Sequence, residues 1–150
     1  MKKNILLIAL GLICLSACTK SEENKENTAE TAKTELPEDF MQFYRTFHAD
    51  SLFQIDHINF PLEGLPSYAN PEELKGQTYY WKKEDWAFQK SIDFEFSDFE
   101  RVLVPLNDIM VKETILHRKR ALAMERKFAK FGKEWTLIYY AGLNTYTVDK

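Results

Sequence analysis

The order of apolar and polar residues divides the 150-residue chain into three parts. An apolar run at residues 5–15 lies near the N-terminus. Residues 19–35 contain no aromatic residue and no aliphatic residue larger than alanine. From Leu36 onward, apolar and polar residues recur with the periods that are typical of helices and strands. The pattern therefore predicts a single folded domain at residues 36–150, preceded by two segments of a different kind.

The clearest helical pattern lies at the start of this domain. Phe40, Phe43, Tyr44 and Phe47 are spaced at i, i+3, i+4 and i+7, which places four aromatic rings on one face of a helix. Pro37 suits the first turn of a helix, because its missing N–H is not needed there. We expect this aromatic face to pack against the rest of the domain.

A second short helical turn is predicted directly afterwards, with Asp50 or Ser51 as its N-terminal cap. Residues 58–62 then alternate between apolar and polar, which is the period of a half-buried strand. Pro61 cannot donate a hydrogen bond to a neighbouring strand, so this strand is expected to lie at an edge of the sheet or to end there.

Residues 63–77 contain two glycines and two prolines and are predicted to be a long connection with one helical turn at 71–74. Further stretches are interpreted as extended because they alternate or are rich in β-branched and aromatic residues. They are residues 79–81, 93–99, 101–106 and 109–117.

A closing hairpin is predicted from residues 120–131, a turn at Gly132-Lys133 and a returning strand. Trp135, Leu137 and Tyr139 alternate on the return. A helix over residues 120–131 is the alternative, since this stretch is rich in strong helix formers and Gly132 would suit the residue after its end. The β-prone residues 135–140 need a partner strand, which favours the hairpin.

The apolar run near the N-terminus ends in Leu15-Ser16-Ala17-Cys18, which resembles the lipobox of bacterial lipoproteins. Two lysines before the run complete the pattern of a secretory signal peptide. The resemblance implies that residues 1–17 are removed and that Cys18 carries the lipid, which would anchor the protein to the outer membrane on its periplasmic or cell-surface side. A plain secretory signal also fits the run, whereas a spanning helix would need about 20 apolar residues.

The polar segment after Cys18 is predicted to be a disordered tether, residues 18–35, because it cannot bury enough apolar surface to order itself. Its start, Lys20-Ser21-Glu22-Glu23, is similar to lysine-plus-acidic signals that send some Bacteroidetes-type lipoproteins to the outer face of the cell. An ordinary solvated tether explains the same residues. The second cysteine, Cys14, lies in the signal segment, so the domain has no thiol for a disulfide or a nucleophile.

Composition and charge narrow the classes of partner. The 11 Phe, 7 Tyr and 3 Trp all lie after residue 35, which supplies enough aromatic surface for one core. The formal net charge is −3. Removal of the two lysines in residues 1–17 would make the remaining chain still more acidic. Such a balance gives no electrostatic basis for nucleic-acid binding.

Two helices followed by strands and a closing hairpin at residues 131–137 resemble the nuclear-transport-factor-2-like, or cystatin-like, superfamily. This resemblance implies an α+β fold in which N-terminal helices pack on a strongly curved, cone-shaped antiparallel sheet. Residues 39–44, 50–54 and 58–62 also resemble the opening of an uncharacterised group of Bacteroidetes envelope lipoproteins. The prolines in the predicted strands depart from the long regular sheet of typical members.

A cone-shaped fold implies a pocket at its mouth, and such pockets are mostly apolar with a few polar groups. For each candidate wall residue, an ordinary place in the core is the alternative. The tryptophans could instead form a platform for sugar rings or a protein. The candidates are Phe43, Tyr44, Phe47, Trp81, Trp86 and Tyr139.

An enzyme would need a histidine and a carboxylate that converge. The neighbouring pairs are His48 with Asp50 and Asp56 with His57. Asp50 is equally well explained as a helix cap, and neighbours on an extended segment point to opposite faces. With His117, the three histidines match no metal-ligand pattern, so no metal and no cofactor are expected.

The sequence therefore favours a membrane-tethered, non-catalytic binding or protein-interaction domain of the bacterial cell envelope. Its partner would be an envelope protein or a small apolar or carbohydrate ligand. The alternatives are a small cone-pocket enzyme that uses a His/Asp acid-base pair and an accessory subunit of an envelope complex.

Overall fold

The computed structural model describes residues 35–146. The predicted signal segment, Cys18 and the predicted tether up to residue 34 lie outside the described residues, as do residues 147–150. Among residues 35–146, no helix is long and apolar enough to cross a membrane. The elements in chain order are α1 (Phe40–Ala49), α2 (Ser51–Asp56), β1 (Ile58–Leu65), α3 (Pro71–Leu74), β2 (Tyr79–Trp81), a 3₁₀ turn (Lys83–Asp85), β3 (Phe99–Asn107), β4 (Met110–His117), β5 (Leu122–Phe131) and β6 (Glu134–Thr145).

Helices α1 and α2 form where the sequence predicts them. The aromatic face of α1 is buried, and Phe40 and Phe47 are fully enclosed. Asp50 is the cap of α2, since its carboxylate accepts hydrogen bonds from the backbone N–H groups of Leu52 (2.9 Å) and Phe53 (3.0 Å). The cap satisfies two of the four N–H groups that a helix N-terminus leaves without partners.

The six strands form one sheet in the order β2-β1-β6-β5-β4-β3. Helix α1 packs on this sheet, so the predicted α+β fold with N-terminal helices on a sheet is confirmed. All neighbouring strands are antiparallel except β1 and β6, which are parallel. A parallel pair is possible here because β1 and β6 are far apart in sequence and no short turn joins them.

Strand β1 does not follow the prediction made from its proline. It continues past Pro61 to Leu65 and lies inside the sheet, between β2 and β6. Its pairing with β6 is irregular between Ile58 and Glu63, and Pro61 lies within this irregular stretch, where a missing N–H costs the ladder nothing. Beyond it, Gly64 is required, because a Cβ there would overlap the carbonyl oxygen of Tyr140 on β6.

The closing hairpin is present as β5 and β6, and the alternative helix is not formed. Gly132 has a φ of +62° in the connecting turn, a conformation that favours glycine. Strand β5 lies between β4 and β6 and pairs with both along its length. These long-range contacts outweigh the local helix propensity of residues 120–131.

Strand β6 contains an extra residue relative to β5 at two places, and the first lies between Leu137 and Tyr139. Phe128 pairs with Leu137, whereas the preceding residue Lys127 pairs with Tyr139. This bulge reverses the phase of the strand, so Tyr140 faces helix α1 and Tyr139 faces the other side of the sheet. The predicted alternation therefore fails at Tyr139, whose ring lies 4.4 Å from the ammonium group of Lys127.

The predicted strand at residues 93–99 is wrong. The Asp93 carboxylate accepts hydrogen bonds from the N–H groups of Glu95 (3.0 Å) and Phe96 (3.2 Å) and folds the segment into a turn. Strand β3 begins at Phe99 and includes Pro105, which is accommodated because β3 is an edge strand.

Candidate binding site

Two charged side chains are buried between helix α1 and the sheet. Glu113 is 0% exposed and Arg126 is 2% exposed. They lie directly opposite each other on β4 and β5, and Arg126 Nη1 donates a hydrogen bond of 2.9 Å to Glu113 Oε2. The Tyr44 hydroxyl of α1 donates to the other carboxylate oxygen, Oε1, at 2.5 Å. Both oxygens of Glu113 are thus satisfied, as a buried carboxylate requires. We call these three residues the polar centre.

The position of the polar centre follows from strand register. Tyr140 pairs with Arg126 across β5 and β6, and the Arg126 guanidinium carbon lies 5.7 Å from the centre of the Tyr140 ring.

Burial and the neighbouring Glu113 carboxylate raise the pKa of Tyr44. Tyr44 therefore remains a hydrogen-bond donor at neutral pH.

His48 lies one helical turn beyond Tyr44, with the two rings 4.5 Å apart. Its Nδ1 is 2.7 Å from the carbonyl oxygen of Gln89, so Nδ1 carries the hydrogen and donates it. Its Nε2 is then an acceptor, and it is buried without a hydrogen-bond partner among residues 35–146. Burial, followed by the charge of Arg126, lowers the pKa of His48 to about 4. The imidazole is therefore neutral at pH 7.

Gln54 fixes the segment that contacts His48. This side chain is 0% exposed. Its Nε2 donates to the carbonyl oxygens of Phe47 (2.8 Å) and Gln89 (3.0 Å). Its Oε1 accepts from Trp86 Nε1 (3.0 Å) and from the Gln89 N–H (2.8 Å). One buried amide thus joins α1 and α2 to residues 86–89.

A cleft of about 400 Å³ opens beside the polar centre, between α1 and β3. This volume lies within the range of about 300–1,000 Å³ that is usual for small-molecule sites. The guanidinium carbon of Arg101 lies 5.1 Å from the centre of the Tyr44 ring and 5.2 Å from that of Phe94. We call this the α1–β3 cleft; its lining residues are Met41, Tyr44, Arg45, His48, Ala49, Ser91 and Arg101.

The aromatic residues predicted as pocket walls lie in several places. Tyr44 lines the α1–β3 cleft, whereas Phe43 and Phe47 are buried in the core. Trp81 and Trp86 are half-buried against this core, and their N–H groups are bonded to Tyr140 O and Gln54 Oε1, both at 3.0 Å. Tyr139 faces the other side of the sheet, because the bulge in β6 reverses the phase of the strand before it.

The structure does not bring the candidate histidine and aspartate pairs together as acid-base units. Asp50 is committed to capping α2. His57 stacks on Phe53 at 3.8 Å, with its Nδ1 2.8 Å from the Phe53 carbonyl oxygen. Of the three histidines, His48 lines the α1–β3 cleft. Within residues 35–146, no cluster of three His, Cys, Asp or Glu side chains could hold a metal ion.

Sequence reasoning missed Gln54, Glu113 and Arg126, and it missed every residue that lines the cleft except Tyr44 and His48. A signal for two of them exists. On β4, Glu113 occupies the same face as Val111 and Ile115, and on β5, Arg126 occupies the same face as Phe128. A charged residue in the apolar phase of a strand indicates a buried, paired charge.

A larger cavity of about 520 Å³ lies between the end of β1, α3 and the end of β6. Its half-buried amide, Asn144, donates to the carbonyl oxygens of Pro66 (3.0 Å) and Gly142 (2.9 Å) and accepts from the Ala69 N–H (2.7 Å). The Asn144 amide thus has partners within the fold, whereas the wall of the α1–β3 cleft contains an unpartnered polar atom.

No protein-family model matches the chain. No curated protein matches it either. The chain is similar to an NTF2-like protein from Bacteroides fragilis, with a TM-score of 0.47 and 15% identity over 72% of this chain and 48% of that one. It thus spans about half the length of that protein.

Two further solved structures are similar to the chain. A cystatin-like protein from Bacteroides caccae has a TM-score of 0.47 and 18% identity over 71% of this chain and 79% of its own. A protein of unknown function with a cystatin-like fold from Nostoc punctiforme has a TM-score of 0.38 and 11% identity over 75% of this chain and 95% of its own.

Proposed function

We propose that this protein is a non-catalytic binding domain, tethered to the bacterial cell envelope through a lipid on Cys18, whose ligand occupies the α1–β3 cleft. One observation carries the proposal for the cleft. The Nε2 atom of His48, a residue that is only 5% exposed and lines the cleft, is an acceptor without a partner among the described residues. Buried polar atoms are nearly always paired, so a ligand that supplies a donor would complete the site.

The rigidity of the cleft supports a binding role. Tyr44 is held by Glu113, His48 is held by the Gln89 carbonyl oxygen, and Gln89 is in turn held by Gln54. Binding then requires little ordering of side chains, which favours affinity.

The state of His48 supports a role without catalysis. A general base works best when its pKa lies near the working pH. The pKa of His48 is lowered to about 4, and its Nδ1–H is held by a backbone carbonyl group instead of a carboxylate. The carboxylate of Glu113 is already bonded through both oxygens.

The tether is supported by the sequence of residues 15–18 and by the polar segment that follows. Residues 19–35 could span at most about 60 Å, from about 3.5 Å per extended residue. That reach would let the domain stand clear of the lipid headgroups. Radiolabelled palmitate should label the protein in cells, and Cys18→Ala should abolish the label. Cys14→Ala is the matched control and should retain it; labelling that survives Cys18→Ala would reject the tether.

The binding role is tested with the full chain in mild detergent and a panel of small metabolites, by thermal shift. A compound that binds in the cleft should stabilise the wild type and fail to stabilise Ala49→Trp, which fills the cleft. Ala121→Trp, at an exposed turn between β4 and β5, is the control and should respond like the wild type. If every stabilising compound acts equally on Ala49→Trp, the cleft is not the site.

A further inference from the structure

We infer that the ligand of the α1–β3 cleft is a small hydroxylated anion, whose carboxylate or phosphate group binds Arg101 while a hydroxyl group donates to His48 Nε2. This inference rests on the proposed function, because it names the chemical class of the ligand that the cleft would bind.

The charge of the cleft is the first argument. Arg45 and Arg101 both line it, and no Asp or Glu is among the residues that do. Beneath the cleft, the positive charge of Arg126 is matched by the negative charge of Glu113. Neither Arg45 nor Arg101 forms an ion pair within residues 35–146, where the pairs are Lys119–Asp98, Arg126–Glu113, Lys127–Glu125 and Lys130–Asp39. The lining therefore carries two uncompensated positive charges, in a protein whose overall charge is negative.

The geometry of Arg101 is the second argument. Its guanidinium group contacts the rings of both Tyr44 and Phe94, on α1 and on the turn before β3. A guanidinium group that is held by aromatic rings loses less freedom when it binds, and its planar set of N–H donors matches the two oxygens of a carboxylate or phosphate. An ammonium group in the same place would offer charge without this fork.

The acceptor character of His48 gives the third argument. Its Nδ1–H is committed to the Gln89 carbonyl oxygen, so Nε2 offers a lone pair to the ligand. A lone pair repels an oxyanion and attracts an O–H group. The hydroxyl of Tyr44 is itself committed to Glu113. The ligand must therefore present its anion to Arg101 and a separate hydroxyl donor to His48, as sugar acids and sugar phosphates do.

The experiment uses the full chain in non-ionic detergent and saturation-transfer NMR with three probes: glucose, glucuronate and glucose 6-phosphate. We expect at least one anionic probe to bind more tightly than glucose. The affinity of that probe should fall as the salt concentration rises. Arg101→Gln should lower the affinity for that probe by about tenfold or more. Arg101→Lys should lower it by less, since lysine keeps the charge but loses the planar set of N–H donors. The preference between glucuronate and glucose 6-phosphate distinguishes a carboxylate from a phosphate.

Arg120→Gln is the matched control, because it removes the same charge from an exposed residue that does not line the cleft. It should leave the affinity of the anionic probe unchanged. If glucose binds as tightly as the anions and Ala49→Trp abolishes its binding, the anion inference is wrong and the proposed function stands. If an anion binds equally to wild type and Arg101→Gln, the inference is also wrong. If no probe binds, both the inference and the proposed function are overturned.

Discussion

The hydroxyl group of Tyr44 donates a hydrogen bond of 2.5 Å to the carboxylate of Glu113, although 69 residues separate them in the chain. This bond connects the first helix to the fourth strand at the point where the strand also pairs with Arg126 on β5. The aromatic face of α1 thus does two things: Phe40 and Phe47 fill the core, and Tyr44 satisfies a buried charge.

We expect Tyr44→Phe to lower the free energy of unfolding by about 1–3 kcal/mol, because it leaves one oxygen of a buried carboxylate without its donor. Urea denaturation followed by circular dichroism would measure the change. Tyr139→Phe is the control, since Tyr139 makes no side-chain hydrogen bond within residues 35–146 and faces the other side of the sheet. Equal losses for the two variants would contradict the role assigned to Tyr44.

The lowered pKa of His48 predicts a dependence of stability on pH. The folded protein keeps His48 neutral down to about pH 4, whereas the unfolded chain protonates it near 6.5. The unfolded state therefore binds more protons in this window, and the free energy of unfolding falls as the pH falls from about 6.5 to about 4. The size of the effect is about 2–3 kcal/mol, at about 1.4 kcal/mol per pKa unit.

His48→Asn tests this dependence, because an Asn amide can still donate to the Gln89 carbonyl oxygen but does not titrate. The charged groups that face His48 are Arg101 on β3 and Arg126 on β5, which oppose its protonation, and Glu113 on β4, which favours it. All three remain in the variant, because only residue 48 is replaced. The difference in unfolding free energy between wild type and variant should shrink as the pH is lowered through the window. A difference that stays constant from pH 7 to pH 4 would exclude His48 as the source.

Gly64→Ala should destabilise the protein strongly, by about 3 kcal/mol or more, because a Cβ would overlap the Tyr140 carbonyl oxygen and force β1 away from β6. The same carbonyl oxygen accepts a hydrogen bond from Trp81 Nε1, so this bond would also be disturbed. Urea denaturation would measure the loss. Gly132→Asn is the control: nothing lies within 4 Å of a Cβ there, and Asn tolerates its positive φ, so we expect a cost below about 1 kcal/mol.

Gln54→Ala should loosen the segment that forms one wall near the cleft. The variant leaves the Trp86 indole N–H, the Gln89 N–H and two carbonyl oxygens without their partner, each of which costs about 1 kcal/mol or more when buried. Hydrogen exchange should become faster at residues 86–89 and stay unchanged in β4 and β5. Gln42→Ala, an exposed position on α1, should leave exchange in this segment as in the wild type.

The elements that could be predicted from the sequence are those that short-range patterns determine. The aromatic spacing of α1 and the Asp50 cap of α2 depend on residues within two helical turns. The β5–β6 hairpin depends on one glycine turn and two β-prone segments. In contrast, the turn at Asp93 competes with an alternating pattern that fits a strand equally well, and only a side-chain hydrogen bond decides between them.

The features that could not be predicted depend on long-range register. The parallel pairing of β1 with β6 leaves no mark in either strand. His48 is hydrogen-bonded to a carbonyl group 41 residues away, and Tyr44 is hydrogen-bonded to a carboxylate 69 residues away. The sequence offered His48 and Tyr44 as candidates, but the partner of Tyr44 is set by how the strands align, and the partner of His48 lies in a segment outside the strands that Gln54 holds in place.

The bulge between Leu137 and Tyr139, the first of two in β6, reverses which residues of the strand face α1. Before it, Leu137 faces α1; after it, Tyr140 does, at an interval of three residues instead of two. With Ile138 present, the bulge therefore decides which of the two tyrosines faces Arg126. A regular strand of the same sequence, without the bulge, would turn Tyr139 toward Arg126 and send Tyr140 to the opposite face, whereas deletion of Ile138 would remove the bulge and leave Tyr140 opposite Arg126.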